Sequence, residues 1–336
     1  MKKNIDIFLS VIDNYGDIGF ACELILWLEQ NFPREFSYSL WTDDIEKTNS
    51  FFHHNRYLLP KVSLFQRKEF QNHRTNPPLC ITLFHTDFPE ILLLPKWSLV
   101  LRIDYLSFDP TWVKHHWSYH IASTDACVVR EIIPSPLEWW WGIFQIWAWW
   151  ESRSSIADRF GIDRDRTWVS IFCYPETLEH CINLSLIPDT CEVILLGLSA
   201  LKEKFWGYKN VHFLPFLDMV TFQSVLKHSL WSIVRWEVSL MNILALGKPF
   251  FWDMYKEIWW FYAQQSEHFL DHIGTNESYK NVHMRLNQRG SGLITLAECE
   301  SLLFGFENKE RFRMQNKHHS LIHEIKKYID SFHFSL

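Results

Sequence analysis

One segment near the start limits what this chain can become. Ile5-Asp-Ile-Phe-Leu-Ser-Val-Ile is an apolar run that reads as a buried strand over residues 5–12. It breaks into Asp13-Asn14-Tyr15-Gly16-Asp17-Ile18-Gly19, a turn with two carboxylates and two glycines, and Ile18–Asn31 reads as a helix with Leu24 and Leu28 on one face. Strand, turn and helix in that order open a βαβ unit, and open α/β sheets place ligands at the carboxyl edge of their strands. Asp13 and Asp17 fall on that edge. Two acids one loop apart suit acid–base work or the orientation of a cationic substrate. They equally suit turn formation by Asp13 and Asn14 with Asp17 capping the next helix.

The alternation continues. Phe36–Trp41 reads as a second strand, ended by Thr42-Asp43-Asp44, and Leu79–Phe84 and Ser98–Ile103 read as further strands. Asp43 and Asp44 are adjacent rather than spaced as Asp-x-Asp, which favours a strand-end turn over a metal site. After the polar stretch Glu151–Arg166 a second series begins. Trp168–Tyr174, Cys191–Leu198, Val211–Pro215, Leu230–Arg235 and Lys248–Trp252 read as strands. Glu176–Leu186, Met219–His228 and Val238–Leu246 read as helices, and the tail from about 257 to 336 reads as mostly helical. The expected fold is α/β: two Rossmann-like domains, 1–150 and 151–336, facing a cleft, with a helical C-terminal tail that can return to the first. This is the GT-B arrangement of glycosyltransferases, with the site expected in the cleft.

Composition excludes several classes. A chain of 336 residues, 47% hydrophobic, has material for two packed cores. A net charge of -6 with no long basic run argues against a nucleic-acid surface. Cys22, Cys80, Cys127, Cys173, Cys181, Cys191 and Cys299 form no Cys-x-x-Cys pair, which fits buried thiols in a reducing compartment. The N-terminus lacks a signal-peptide core and no apolar run reaches membrane-spanning length, so a cytoplasmic location without a membrane span is expected. Tryptophan is abundant and densest in 137–150, a stretch too short to cross a bilayer. It suits packing between domains or against a neighbouring chain, or a membrane interface. Only Gly16-x-x-Gly19 stands where a dinucleotide fingerprint would need a third glycine, so no nicotinamide cofactor is expected. His116 and His120 have zinc-like spacing but no third ligand, and no metal is expected.

Several motifs in order carry a resemblance. Val11-Ile-Asp13-Asn14-Tyr15-Gly16-Asp17-Ile18-Gly19, Leu40-Trp41-Thr42-Asp43-Asp44 and Tyr105-Leu106-Ser107 followed by Asp109 fill the first half. Phe172-x-Tyr174, Leu214-Pro215-Phe216-Leu217 with Phe222, Arg235-x-Glu237-x-Ser239 and Ala245-x-Gly247-Lys248-Pro249-Phe250-x-Trp252 fill the second. Over most of its length the chain resembles the EarP family of bacterial protein-arginine rhamnosyltransferases. The resemblance implies a GT-B fold and inverting, metal-independent transfer of rhamnose. The donor would be dTDP-β-L-rhamnose and the acceptor an arginine of translation elongation factor P. It implies Asp17 as general base, Asp13 as the acid beside it and Glu237 in donor handling. Phe172 and Phe222 would hold the thymine, with Tyr174, Arg235 and Ser239 near the nucleotide and its diphosphate. Tyr15, Gly16, Phe216 and Met219 also fall on the donor side.

These residue types suit such roles. A guanidinium is not deprotonated in advance, so a carboxylate must orient it and take a proton as the new bond forms. Arg235 and the start of the helix near Val238 would meet charge growing on a diphosphate. Each also has a structural alternative: Phe172 and Phe222 as core, Arg235 and Glu237 as an ion pair, Ser239 as a helix cap. The chain departs from the family pattern on the nucleotide side. Asp218 and Met219 replace Pro-Gln, Trp236 replaces Gly, Val238 replaces Asp, and Trp252-Asp-Met-Tyr255-Lys-Glu replaces Trp-His-Ile-Tyr-Pro-Gln. A different nucleotide sugar or acceptor on the same scaffold, or a non-catalytic partner-binding relative, are the alternatives these changes motivate.

Overall fold

The computed structural model describes residues 3–12, 15–57, 59–72, 77, 79–84, 88–95, 98–103, 128–132, 150–184, 188, 190–205, 207–254, 266–267, 269–271, 275–287, 292–303 and 329. The chain divides into two compact units, Met1–Ile146 with His319–Leu336, and Trp147–His318.

In unit 1, β1 (Lys3–Leu9), α1 (Tyr15–Asn31), β2 (Phe36–Thr42), α2 (Ile45–His54), β3 (Val62–Gln66), β4 (Leu79–Leu83), β5 (Leu99–Ile103) and β6 (Val128–Ile132) follow in turn. All six strands are parallel, in the order β3-β2-β1-β4-β5-β6, so the order reverses between β1 and β4. Parallel strands buried on both faces read as continuous apolar runs, as β1 and β4 do. Helix α1 is buried along Gly16–Leu28, because apolar residues occupy more than one of its faces. It begins three residues earlier than expected, so Asp17 sits inside its first turn rather than before it. Phe8, Trp41, Phe65, Phe70 and Phe88 form one aromatic cluster in its core. Trp41 stacks on Phe65 at 4.5 Å and meets Phe70 edge-on at 4.9 Å, while Phe8 meets Phe70 at 5.0 Å. The paired acids after β2 serve the turn: Asp44 caps α2 by accepting the Lys47 N–H at 3.0 Å, and Asp43 accepts the Val11 N–H at 2.9 Å.

Unit 2 contains α3 (Arg153–Phe160), β7 (Thr167–Ile171), α4 (Pro175–His180), β8 (Ile182–Asn183), β9 (Cys191–Leu196), β10 (Val211–Leu214), α5 (Met219–His228), β11 (Trp231–Arg235), α6 (Trp236–Ala245), β12 (Phe250–Asp253), α7 (Glu277–Asn287), β13 (Ile294–Thr295) and α8 (Leu296–Leu303). Its main sheet is parallel in the order β10-β9-β7-β11-β12, with the reversal between β7 and β11. The polar stretch at 151–166 contains α3, opened by Ser152, which accepts the Ser155 N–H, and closed by Gly161 at φ 67°. Left-handed backbone of this kind favours glycine at a helix end. The helix expected over Glu176–Leu186 stops at His180, because Ile182 and Asn183 pair with β13 as a short strand. The six described cysteines, Cys22, Cys80, Cys173, Cys181, Cys191 and Cys299, are buried thiols outside any disulfide. Among the described residues no helix is long and apolar enough to cross a membrane.

Candidate active site

The reversal point of unit 2 gathers most of the expected donor residues on one edge. Phe172, Cys173 and Tyr174 leave the end of β7, while Arg235 ends β11 beside it. The Phe172 N–H donates to the Ile233 carbonyl at 2.8 Å, continuing the ladder one residue past the strand. The Arg235 guanidinium lies over the Phe172 ring at 4.3 Å and near the Tyr174 ring at 5.3 Å, and donates to the Cys173 carbonyl at 3.0 Å. This is a cation held on two aromatic faces. Phe222, from α5, meets Phe172 edge-on at 5.1 Å. Gly197, after β9, takes φ 68°, and a Cβ there would sit 3.6 Å from Phe172. Phe172 and Phe222 are half-buried against the core yet keep part of each ring on the surface.

Helix α5 starts at the same edge. Asp218 caps it, accepting the Thr221 N–H at 2.9 Å and the Thr221 hydroxyl at 2.6 Å. Met219, the first helical residue, is buried, whereas Phe216 in the preceding loop is 41% exposed. Helix α6 follows β11 with no loop, and Arg235 holds its N-cap position without a side-chain cap. Ser239 is therefore the fourth helical residue rather than a cap, and its buried hydroxyl donates to the Arg235 carbonyl one turn back. Glu237 lies in the first turn of α6. Sequence reading missed Asp253, which ends β12 fully buried and accepts the Tyr174 N–H at 2.7 Å and the Thr177 hydroxyl at 2.9 Å. Its sequence signal is an acid directly after the apolar run Phe250–Trp252, at the carboxyl end of a strand, where open α/β sheets place ligands.

The reversal point of unit 1 holds the remaining expected residues. Asp17, 2% exposed, accepts the Ile12 N–H at 2.7 Å and so ties the strand end to the first turn of α1. Tyr15 stacks on Phe51 at 5.9 Å, and Gly16 is buried behind it. Ser10 accepts from Arg67 at 3.0 Å, and Arg67 also pairs with Glu90 at 2.9 Å. At the end of β4, Phe84 takes φ 70°, a strained conformation for a bulky residue, with its ring 5.3 Å from Phe20. Asp13, Asn14, the Tyr105–Asp109 motif, Cys127, His116, His120, Tyr255 and residues 137–149 lie outside the described residues. Among the described residues no three His, Cys, Asp or Glu side chains converge as a metal site.

No protein-family model matches the chain, and no curated protein matches it. Solved structures do. One, described as the structural basis for EarP-mediated arginine glycosylation of translation elongation factor EF-P, is 16% identical over 98% of this chain and 99% of that one, with a TM-score of 0.50. The spinosyn rhamnosyltransferase SpnG is 10% identical over 98% of this chain and 100% of that one, at 0.57. The glycosyltransferase SnogD from Streptomyces nogalater is 13% identical over 98% and 100%, at 0.54. These likenesses, with the two Rossmann-like sheets, make the fold α/β of the GT-B glycosyltransferase kind.

Proposed function

We propose that this protein is a cytoplasmic, inverting glycosyltransferase that moves rhamnose from dTDP-β-L-rhamnose to an arginine side chain of translation elongation factor P. The observation that carries the reading is the unit 2 reversal point. There Phe172, Phe222 and Arg235 converge beside a helix that begins directly at a strand end. Flat rings suit a pyrimidine base. The first N–H groups of a helix have no acceptor within that helix and favour anions. With Arg235 they would meet the charge that grows on the departing diphosphate, a role that in this reading needs no metal. Tyr174, Phe216, Met219 and Ser239 line or brace the same edge, and Glu237 stands in the first turn of α6.

Unit 1 supplies the acid. In a single displacement the acceptor guanidino nitrogen attacks the anomeric carbon, a C–N bond forms and the bond to the diphosphate breaks with its electron pair. The attacking nitrogen loses a proton to Asp17, and the nucleoside diphosphate departs. Asp17 is held in place by the Ile12 N–H, so its carboxylate is already oriented. Asp13 would share the grip on the planar, doubly donating guanidinium, with Tyr15 and Gly16 shaping the loop.

The test is the intact mass of elongation factor P after incubation with this protein and dTDP-rhamnose. A gain of one deoxyhexose on one arginine is expected, and no gain overturns the reading. One observation favours a second reading of the donor alone. Met219 presents a buried thioether, which donates no hydrogen bond, at the start of α5. Tighter binding of UDP or GDP than of dTDP would transfer the assignment to that nucleotide.

A further inference from the structure

Asp253 stands directly opposite Arg235 in the β11–β12 register, at the edge where the donor is assigned. It is fully buried, and its two oxygens face two donors of another segment. One oxygen accepts the Tyr174 N–H at 2.7 Å and the other the Thr177 hydroxyl at 2.9 Å. Tyr174 is the N-cap residue of α4 and offers no side-chain cap of its own. A carboxylate reaching across from β12 therefore braces the first turn of α4, where a Ser, Thr, Asp or Asn in the cap position would ordinarily do so.

The consequence falls on the three residues between β7 and α4. Their path is fixed at one end by the Phe172 N–H on the Ile233 carbonyl and at the other by Tyr174 on Asp253. Between the two anchors, the Cys173 carbonyl receives the Arg235 guanidinium, which rests on the Phe172 and Tyr174 rings. Moving the second anchor moves that carbonyl and both rings, and Arg235 with them. We infer that Asp253 is a positioning residue for the nucleotide. It pins the 172–177 segment so that the ring of Phe172 and the cation of Arg235 are presented together before the ligand arrives. Pre-organisation of this kind shows as affinity, because the bound arrangement need not be assembled at binding. The inference rests on the reading of this edge as a nucleotide site. The sequence hides the role, since it depends on a strand-order neighbour and on a departure from the family pattern.

The test uses the full chain, with dTDP as probe, by titration calorimetry and by hydrogen exchange at the Tyr174 amide. In Asp253→Ala the amide is expected to exchange faster and dTDP affinity to fall about tenfold. In Asp253→Asn the amide oxygen can accept from Tyr174 while the Thr177 hydroxyl turns to accept in its place, so both readouts are expected to return close to wild type. Thr177→Val removes one donor only and keeps the question answerable if the alanine variant does not fold; about threefold weaker binding is expected. Wild-type affinity in Asp253→Ala or Thr177→Val overturns the inference, as does an Asn variant that binds as weakly as the alanine one. If the unaltered chain binds no nucleoside diphosphate, the reading of the site itself fails. Weak binding confined to the variants is what separates the two claims.

Discussion

The two sheets reverse their strand order at equivalent places, between β1 and β4 in unit 1 and between β7 and β11 in unit 2, but the residues that follow the first strand differ in kind. After β1 a buried acid folds back to hold its own loop, Asp17 on the Ile12 N–H. After β7 two aromatic rings receive a cation from the neighbouring strand, Arg235 over Phe172 and Tyr174. One scaffold thus offers a carboxylate at one edge and an aromatic–guanidinium platform at the other. The architecture leaves the chemistry open, and the side chains at the strand ends decide it. An acid suits a cationic acceptor, and rings with a cation suit an anionic, base-bearing donor.

The sharpest way to break this division of labour is Asp17→Asn. The amide oxygen can still accept the Ile12 N–H, so the loop is expected to keep its shape while the proposed proton acceptor is lost. Transfer to elongation factor P should fall by about a hundredfold or more, as loss of a general base does, with dTDP affinity unchanged. Mass spectrometry of the acceptor measures the first and calorimetry the second. Full activity in the variant would return Asp17 to a purely structural role.

Acid should separate the units next. His283, in α7 of unit 2, is fully buried with neither ring nitrogen hydrogen-bonded, and burial pushes its pKa down to about 3. In the unfolded chain a histidine titrates near 6.5, so the unfolded state takes up the proton first. The folded pKa is the lower one, so this contribution is intact above about pH 6.5 and is lost as pH falls towards 3, by about 1.4 kcal/mol per pH unit. From pH 6.5 to 5 that is about 2 kcal/mol. The described histidines of unit 1, His53 and His54, are exposed. Urea unfolding at pH 8 and pH 5, followed by hydrogen exchange, should show unit 2 opening first in acid, and His283→Leu should flatten that dependence. An unchanged acid limb in the variant would assign the effect elsewhere.

How far the sequence reveals these two edges depends on the signal each feature carries. Helix α5 agrees with its expected span because Asp218 supplies a cap and apolar residues recur at helical spacing. Helix α3 leaves little trace in the sequence because only Ile156 and Ala157 are buried along it, too few to stand out in a polar stretch. Strand β3, a sheet edge with partly exposed residues, lacks the apolar run that marked β1. The rule that ligands bind at strand ends of α/β folds points to Asp17, whereas Phe172 and Arg235 are singled out only by the resemblance. The Asp253 contacts and the Ser239 back-bond are not legible in the sequence, because each depends on a partner that only the folded register or helix turn identifies.

Phe172→Ala probes the platform more gently. The ring carries the Arg235 guanidinium on its face and Phe222 against its edge, so its removal loosens both. dTDP affinity should fall about tenfold, near the upper end of what an aromatic contact contributes. Activity at saturating donor should change less, because the acid of unit 1 is untouched. A fall in turnover with no change in affinity would mean that the ring serves the reacting centre instead of the base.

The smallest expected effect compares two aspartates that do the same local job on different units. Asp44 caps α2 through the Lys47 N–H at 3.0 Å, and Asp218 caps α5 through the Thr221 N–H at 2.9 Å. Replacing either with alanine removes a side-chain acceptor from a helix start, which costs about 1 kcal/mol. In chemical denaturation the two variants should therefore look alike. They should differ in ligand binding. Helix α5 carries Met219 and Phe222 at the proposed donor edge, so a looser first turn there should weaken dTDP a few-fold, whereas α2 meets the unit 1 edge through the Phe51 contact with Tyr15. Equal nucleotide affinity in the two variants would mean that the α5 start is rigid without its cap, and that the platform is held from β7 and β11 alone.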